Sequence, residues 1–102
     1  MNRNLEKIKF QNSKILFHLY GHPYCNLCDR LEALIRPHLE ALRRRHPSAA
    51  VILTKCDIKT NTEWRKAYEQ RIPVLTCNDR TLLEGRPRLE EVAEAFRRIG
   101  AA

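Results

Sequence analysis

No stretch of this sequence stays apolar for the roughly 18 residues that a membrane-crossing helix requires, so no helical span is expected. Met1–Phe10 is polar and reads as no export signal. Internal repeats, low-complexity tracts and any composition break that would mark a second domain are also missing. Acidic residues are outnumbered by basic ones, 12 to 19, which leaves a net charge of +7. Such a charge raises nucleic acid or an acidic partner as candidates. No recognition-motif spacing accompanies it, and the aromatic residues do not interleave with the basic ones. A solvated basic surface is therefore expected, with nucleic acid not expected as a partner. Cysteine is limited to four residues. A secreted disulfide framework would need an export signal, so a reducing, cytoplasmic setting is expected instead. There, closely spaced cysteines mean redox chemistry or metal.

What is present suits one small domain. Hydrophobic residues make up 43% of the 102 residues, too many for wholesale disorder. Residues 1–14 carry Arg3, Lys7, Lys9 and Lys14 with few apolar residues, and read as a flexible basic arm. Residues 15–102 read as a single domain, expected to be a monomer. Ile15–Tyr20 is apolar on both faces except at His18, the pattern of a buried central strand. Gly21 and Pro23 end it. From Cys25 onward, Leu27, Leu31, Leu34, Ile35, His38 and Leu42 recur at helical spacing. Asp29 and Glu32 near the start and Arg43–Arg45 at the end suit the helix dipole. Pro37 conflicts with a straight helix, but the stripe runs through it, so one bent helix is expected. Ala50–Lys55 is a second strand and Asn61–Gln70 a short helix with Trp64 and Tyr68 on one side. Ile72–Cys77 is a third strand, followed by a turn at Asn78–Arg80 and a hairpin partner at Thr81–Leu83. Leu89, Val92, Ala93, Phe96 and Ile99 form a terminal helix stripe, with Gly100 as its stop. The order is β-α-β-α-β-β-α, an α/β chain.

The chemistry concentrates in Tyr24-Cys25-Asn26-Leu27-Cys28, where a strand hands over to a helix. A thiol at a helix N-terminus meets unpaired backbone N–H groups and the positive end of the dipole, and both favour thiolate. The dipole alone contributes about 0.3–1 kcal/mol, below about one pKa unit. Direct N–H···S contacts must supply any larger shift. Two intervening residues let the second cysteine reach back and close a small ring.

With these residues in place, the chain resembles the thioredoxin fold, and more closely its glutaredoxin-like branch. Cys25-x-x-Cys28 after the first strand, Ile72-Pro73 at the start of the third, and Gly85 after the hairpin carry the likeness, over about Ile15 to Ile99. The resemblance implies a mixed four-stranded sheet with helices on both faces and a small thiol–disulfide oxidoreductase. Cys25 would attack and Cys28 would resolve. Pro73 would be cis, and Tyr24, Ile72, Pro73 and Gly85 would bind substrate, with Arg71 and Arg86, which flank those positions, as further substrate-binding candidates. A disulfide-containing protein or a glutathione mixed disulfide would be the partner, with glutathione as co-substrate and no tightly bound cofactor or metal. The sequence departs from the family pattern at Asn26-Leu27, at Arg71 before Ile72-Pro73, and at Arg86-Pro87 after Gly85. Those departures support thiol chemistry better than glutathione use.

Alternatives stand beside this reading. The same cysteines would serve a metal or iron–sulfur carrier, or sit inert in a binding module. Zinc needs four ligands, and neither Cys56 nor Cys77 has a partner at metal spacing. Both read as small buried hydrophobes. His18 reads as a satisfied core histidine. His22, three residues before Cys25, reads as a solvent-exposed loop histidine, with the alternative that in its protonated form it helps hold a thiolate. Arg71, Arg86 and Arg88 read either as cations gathered near the sulfurs to grip carboxylates or as solvated surface charges.

Overall fold

The computed structural model describes residues 14–99. Their order is β1 (Lys14–Gly21), α1 (Asn26–Arg45), β2 (Ala50–Asp57), a 3-10 turn (Ile58–Thr60), α2 (Thr62–Tyr68), β3 (Val74–Cys77), β4 (Arg80–Glu84) and α3 (Leu89–Arg98). This is the expected β-α-β-α-β-β-α order with one added turn. The basic arm and the stop at Gly100 lie outside the described residues, except that Lys14 opens β1 rather than closing the arm. Among the described residues no helix is long and apolar enough to cross a membrane.

The four strands form one mixed sheet in the order β2-β1-β3-β4. β1 runs parallel to β2 through the α1 crossover and antiparallel to β3. β3 and β4 form a hairpin whose turn residues, Asn78 and Asp79, both take positive φ, 47° and 70°. Asn and Asp tolerate that region, and such a turn matches strand twist. The turn therefore closes one residue earlier than the sequence suggests, and Arg80 belongs to β4.

Side chains alternate across the sheet, so each face builds its own core. Phe17, Leu19 and Leu75 on one face meet Leu31, Ile35, Leu39 and Leu42 of α1 and Val92 and Phe96 of α3. Phe17 is fully buried and stacks on Phe96 with ring centroids 5.5 Å apart. On the other face Tyr20, Cys56, Ile58 and Val74 pack under Trp64 and Tyr68 of α2. Tyr20 stacks on Tyr68 at 4.3 Å and meets Trp64 edge-on at 5.6 Å.

Several expected details shift. The buried stripe of α1 is Cys28, Leu31, Ile35, Leu39 and Leu42, with Leu27 on the outside. The helix continues through Pro37, which lies on the exposed side. Ala33, whose carbonyl loses its helical donor there, is also exposed, so water can replace that bond. Cys56 lies within β2, not after it. Pro73 lies just before β3, and α2 is shorter than Asn61–Gln70 because Asn61 is its cap, accepting the Trp64 N–H at 3.0 Å. In α3, Leu89 and Ala93 are exposed, and Ala95 joins Val92 and Phe96 against the core. His18 is only partly buried; it stacks beside Tyr20, and its Nδ1 is buried without a hydrogen-bond partner, so it is not a satisfied core histidine.

Candidate active site

β1 delivers the chain to Gly21, and a short turn then places Cys25 at the N-cap of α1. Tyr24 takes φ 64° and is fully exposed, which turns the chain sharply into the helix. Cys25 and Cys28 are joined by a disulfide with Cα atoms 5.2 Å apart. The Cys25 sulfur also receives the Cys28 backbone N–H at 3.1 Å. This is an N-cap in which sulfur stands where serine or aspartate oxygen usually does. The expected N–H···S contact is therefore present, one turn into a helix whose dipole points its positive end at the same atom. Cys25 is partly exposed and Cys28 is buried.

The strand before the cysteines fits around them. A Cβ on Gly21 would lie 2.6 Å from Cys28 Sγ and 3.4 Å from its Cβ. Only a glycine leaves that space, a role the sequence reading, which treated Gly21 as a strand end, did not reveal. Behind Cys28 lies a recess of about 260 Å³ lined by Gly21, His22, Glu32 and Lys55 among others. Glu32 accepts from Lys55 Nζ at 2.9 Å and from Arg36. The Lys55 hydrogen bond, aided by Arg36, holds the Glu32 carboxyl below its ordinary value. Glu32 sits one turn after Cys28, so its spacing was a readable signal; Lys55 arrives through β2 pairing, opposite Leu19, and was not.

This carboxylate has a testable consequence. Because the folded-state pKa is depressed, the ion pairs stabilise the fold above the ordinary glutamate range. That contribution is lost as pH falls through the depressed value. Both cationic partners are more than half exposed, which limits the effect to about 0.2–1 kcal/mol. Glu32→Gln should lower stability by that amount at pH 7 and by less at pH 3, where protonation has begun to remove the charge. Denaturant titrations at the two pH values check this; an equal loss at both would show that packing, not charge, is responsible.

The second predicted segment also reaches the site. The Ile72–Pro73 bond is cis. Pro73 is buried, while Ile72 is partly buried and lines a groove of about 400 Å³ together with His22, Lys59 and Arg65. The Pro73 carbonyl accepts the Gly85 N–H at 2.8 Å. Gly85 has φ 70° with open space where a Cβ would be, so its backbone conformation, not crowding, calls for glycine. Ile72 thus meets the cysteine loop through the groove it shares with His22, Pro73 is tied to Gly85 by this hydrogen bond, and Tyr24 belongs to the cysteine loop itself.

The three arginines have different local partners. Arg71 is held by Glu84, Nε and Nη2 each at 3.2 Å, lies over the Tyr68 ring and reaches the Ala67 carbonyl at 3.4 Å. Its guanidinium is thus engaged with Glu84 in a surface ion pair while its side chain stays exposed. At the start of α3 the Arg88 backbone N–H donates to Glu91 Oε1 at 2.8 Å, and its guanidinium Nε pairs with the same carboxylate at 3.6 Å. Arg86 is exposed and has no ion-pair partner among the described residues.

Cys56 and Cys77 are both free, and they belong to the cores on opposite faces of the sheet. Burial pushes both thiols above their ordinary range, so they stay protonated. Among the described residues no group of three His, Cys, Asp or Glu is arranged to hold a metal ion.

This mixed sheet with a disulfide capping its first helix has the thioredoxin fold, and solved structures agree on the fold. The germline-specific thioredoxin Deadhead from Drosophila melanogaster is 18% identical and superposes with a TM-score of 0.53, over 97% of this chain and 93% of that one. Oxidised thioredoxin from Plasmodium falciparum is 12% identical with a TM-score of 0.51, over 96% and 92%. Mitochondrial thioredoxin 3 from Saccharomyces cerevisiae, in its oxidised form, is 15% identical with a TM-score of 0.50, over 93% and 88%. The model of the glutaredoxin-like domain (DUF836) matches residues 16–97, and the chain belongs to that family. No curated protein matches it.

Proposed function

We propose that the protein is a small thiol–disulfide oxidoreductase in which Cys25 is the nucleophile and Cys28 the resolving thiol. The observation that carries this is the sulfur N-cap: Cys25 Sγ sits on the Cys28 N–H at the positive end of α1, partly open to solvent, with Cys28 buried behind it. A thiolate at Cys25 would attack one sulfur of a substrate disulfide and release the other. Cys28 would then attack Cys25, closing the disulfide seen here and freeing the second substrate thiol. Two electrons pass from the dithiol to the substrate.

The substrate contacts follow the same geometry. Fully exposed Tyr24 and the outward-facing Leu27 flank the nucleophile. Ile72 offers backbone groups beside a cis-proline that has no N–H of its own, an arrangement suited to an extended peptide. Arg86, beyond Gly85, is the cation left for a substrate carboxylate once Arg71 is committed to Glu84. The partner is a protein disulfide or a glutathione mixed disulfide, with glutathione as co-substrate, acting on a cytoplasmic monomer. The free thiols Cys56 and Cys77 suit a reducing compartment.

Reduction of insulin tests the reading directly. The protein is supplied with electrons through glutathione and its reductase in one assay and through thioredoxin reductase in another. Turnover in either is expected. No turnover in both, with the cysteines reduced at the start, would reject the oxidoreductase reading.

A further inference from the structure

We propose that His22 is the acid–base residue of the second half of this exchange, taking the proton from Cys28 as Cys28 attacks the mixed disulfide on Cys25. The proposal rests on the roles of Cys25 and Cys28 argued above.

The tautomer of His22 follows from its one hydrogen bond. Nδ1 lies 2.7 Å from the Pro23 carbonyl oxygen. A carbonyl has only lone pairs to offer, so Nδ1 carries the hydrogen and Nε2 of the neutral ring keeps a lone pair. The ring is partly buried and borders both cavities of the site. It shares the recess with Cys28 and the groove with Ile72. It therefore adjoins both the recess that holds the resolving sulfur and the groove beside Ile72.

The other titratable groups facing it are poorly suited to the task. From α1, Glu32 has its two oxygens committed to Lys55 and Arg36, and Asp29 is exposed to solvent. From β2, Lys55 is paired with Glu32, Cys56 belongs to the core of the opposite face, and Asp57 Oδ1 accepts the Lys59 N–H at 2.9 Å. On the groove side, the Lys59 and Arg65 cations have no lone pair to give, and Glu69 is exposed. Carboxylates as a class are weak bases towards a thiol, whereas imidazole titrates in the neutral range.

The step balances as follows. The Cys28 S–H proton moves to His22 Nε2, and the sulfur electron pair forms the Cys28–Cys25 bond. The bond between Cys25 and the substrate sulfur breaks. The substrate sulfur leaves with that electron pair and takes the proton from the imidazolium, which returns to its starting form.

The test separates the two halves of the reaction. Closure of Cys28 onto a Cys25 mixed disulfide is followed by rapid quench across pH 5.5–9.5. The first attack by Cys25 is read separately in a Cys28→Ser background. His22→Gln is expected to slow closure at pH 7 by about tenfold or more relative to the first attack. It is also expected to change the shape of the closure pH profile while leaving that of the first attack in place. Added imidazole is expected to restore closure in His22→Ala in proportion to its concentration. Closure at the unmodified rate with an unmodified pH profile would overturn the proposal. So would an equal fall of both steps without imidazole rescue, which marks a structural role. If the unmodified protein forms no mixed disulfide on Cys25, the oxidoreductase reading fails with it; exchange that proceeds normally without His22 overturns the proton role alone.

Discussion

Replacing Cys25 by serine should lower disulfide reduction by on the order of 10³-fold or more, while replacing Cys28 should leave the first attack in place and trap its product. The asymmetry follows from where the two sulfurs sit. Cys25 is partly exposed at the helix N-cap and holds the Cys28 N–H, so its ionised form is stabilised and accessible. Cys28 is buried and faces a recess, so an incoming disulfide does not reach it first. Serine at 25 keeps the cap but is a far weaker nucleophile towards sulfur. Serine at 28 removes only the resolving thiol, and the substrate should remain bonded to Cys25. Mass spectrometry of acid-quenched mixtures reads both outcomes. A Cys25→Ser protein that still forms a substrate adduct through Cys28 would reverse the assignment.

Gly21→Ala should make the Cys25–Cys28 pair easier to reduce, raising its potential by roughly 20–60 mV. The added methyl would lie 2.6 Å from Cys28 Sγ, inside van der Waals contact. In the oxidised protein that sulfur is fixed by its bond to Cys25 and cannot rotate away, so the backbone of β1 or α1 must shift. In the reduced protein it is the free end of a short side chain and can turn aside. The strain therefore falls mainly on the disulfide form. Overpacking of this kind costs about 1–3 kcal/mol, and about 1.4 kcal/mol corresponds to 30 mV for a two-electron couple. Equilibration against defined glutathione buffers measures the shift. Melting temperatures should agree, with the oxidised variant losing more than the reduced one. An unchanged or more negative potential would mean that the glycine is not needed to seat the sulfur.

The elements were legible in the sequence where local pattern decides them. The apolar run of β1, the helical stripe of α1 and the hairpin turn at Asn78–Asp79 all follow from short-range rules, as did the cysteine pair at the strand–helix junction. What was hidden depended on contacts far apart in the chain. Whether Leu27 or Leu39 faces the core depends on how α1 is rotated against the sheet, and both fit the helical period. Arg71 looked available because its captor, Glu84, is brought beside it only when β4 folds back along β3. Glu32 was readable as one turn beyond Cys28, but its pairing with Lys55 needs the parallel register of β1 and β2. Gly21 looked like punctuation until the position of Cys28 showed what the missing side chain makes room for.

The sulfur that caps α1 couples the fold to its own oxidation state. The Cys28 N–H rests on the Cys25 sulfur in the disulfide form; an ionised sulfur accepts a backbone N–H more strongly than one tied up in a disulfide, so opening the pair would hold the first turn of α1 more firmly. By thermodynamic linkage, any firmness gained by the open form is subtracted from its tendency to close again. The capping contact at the start of one helix thus helps set how strongly the molecule pulls electrons from its neighbours.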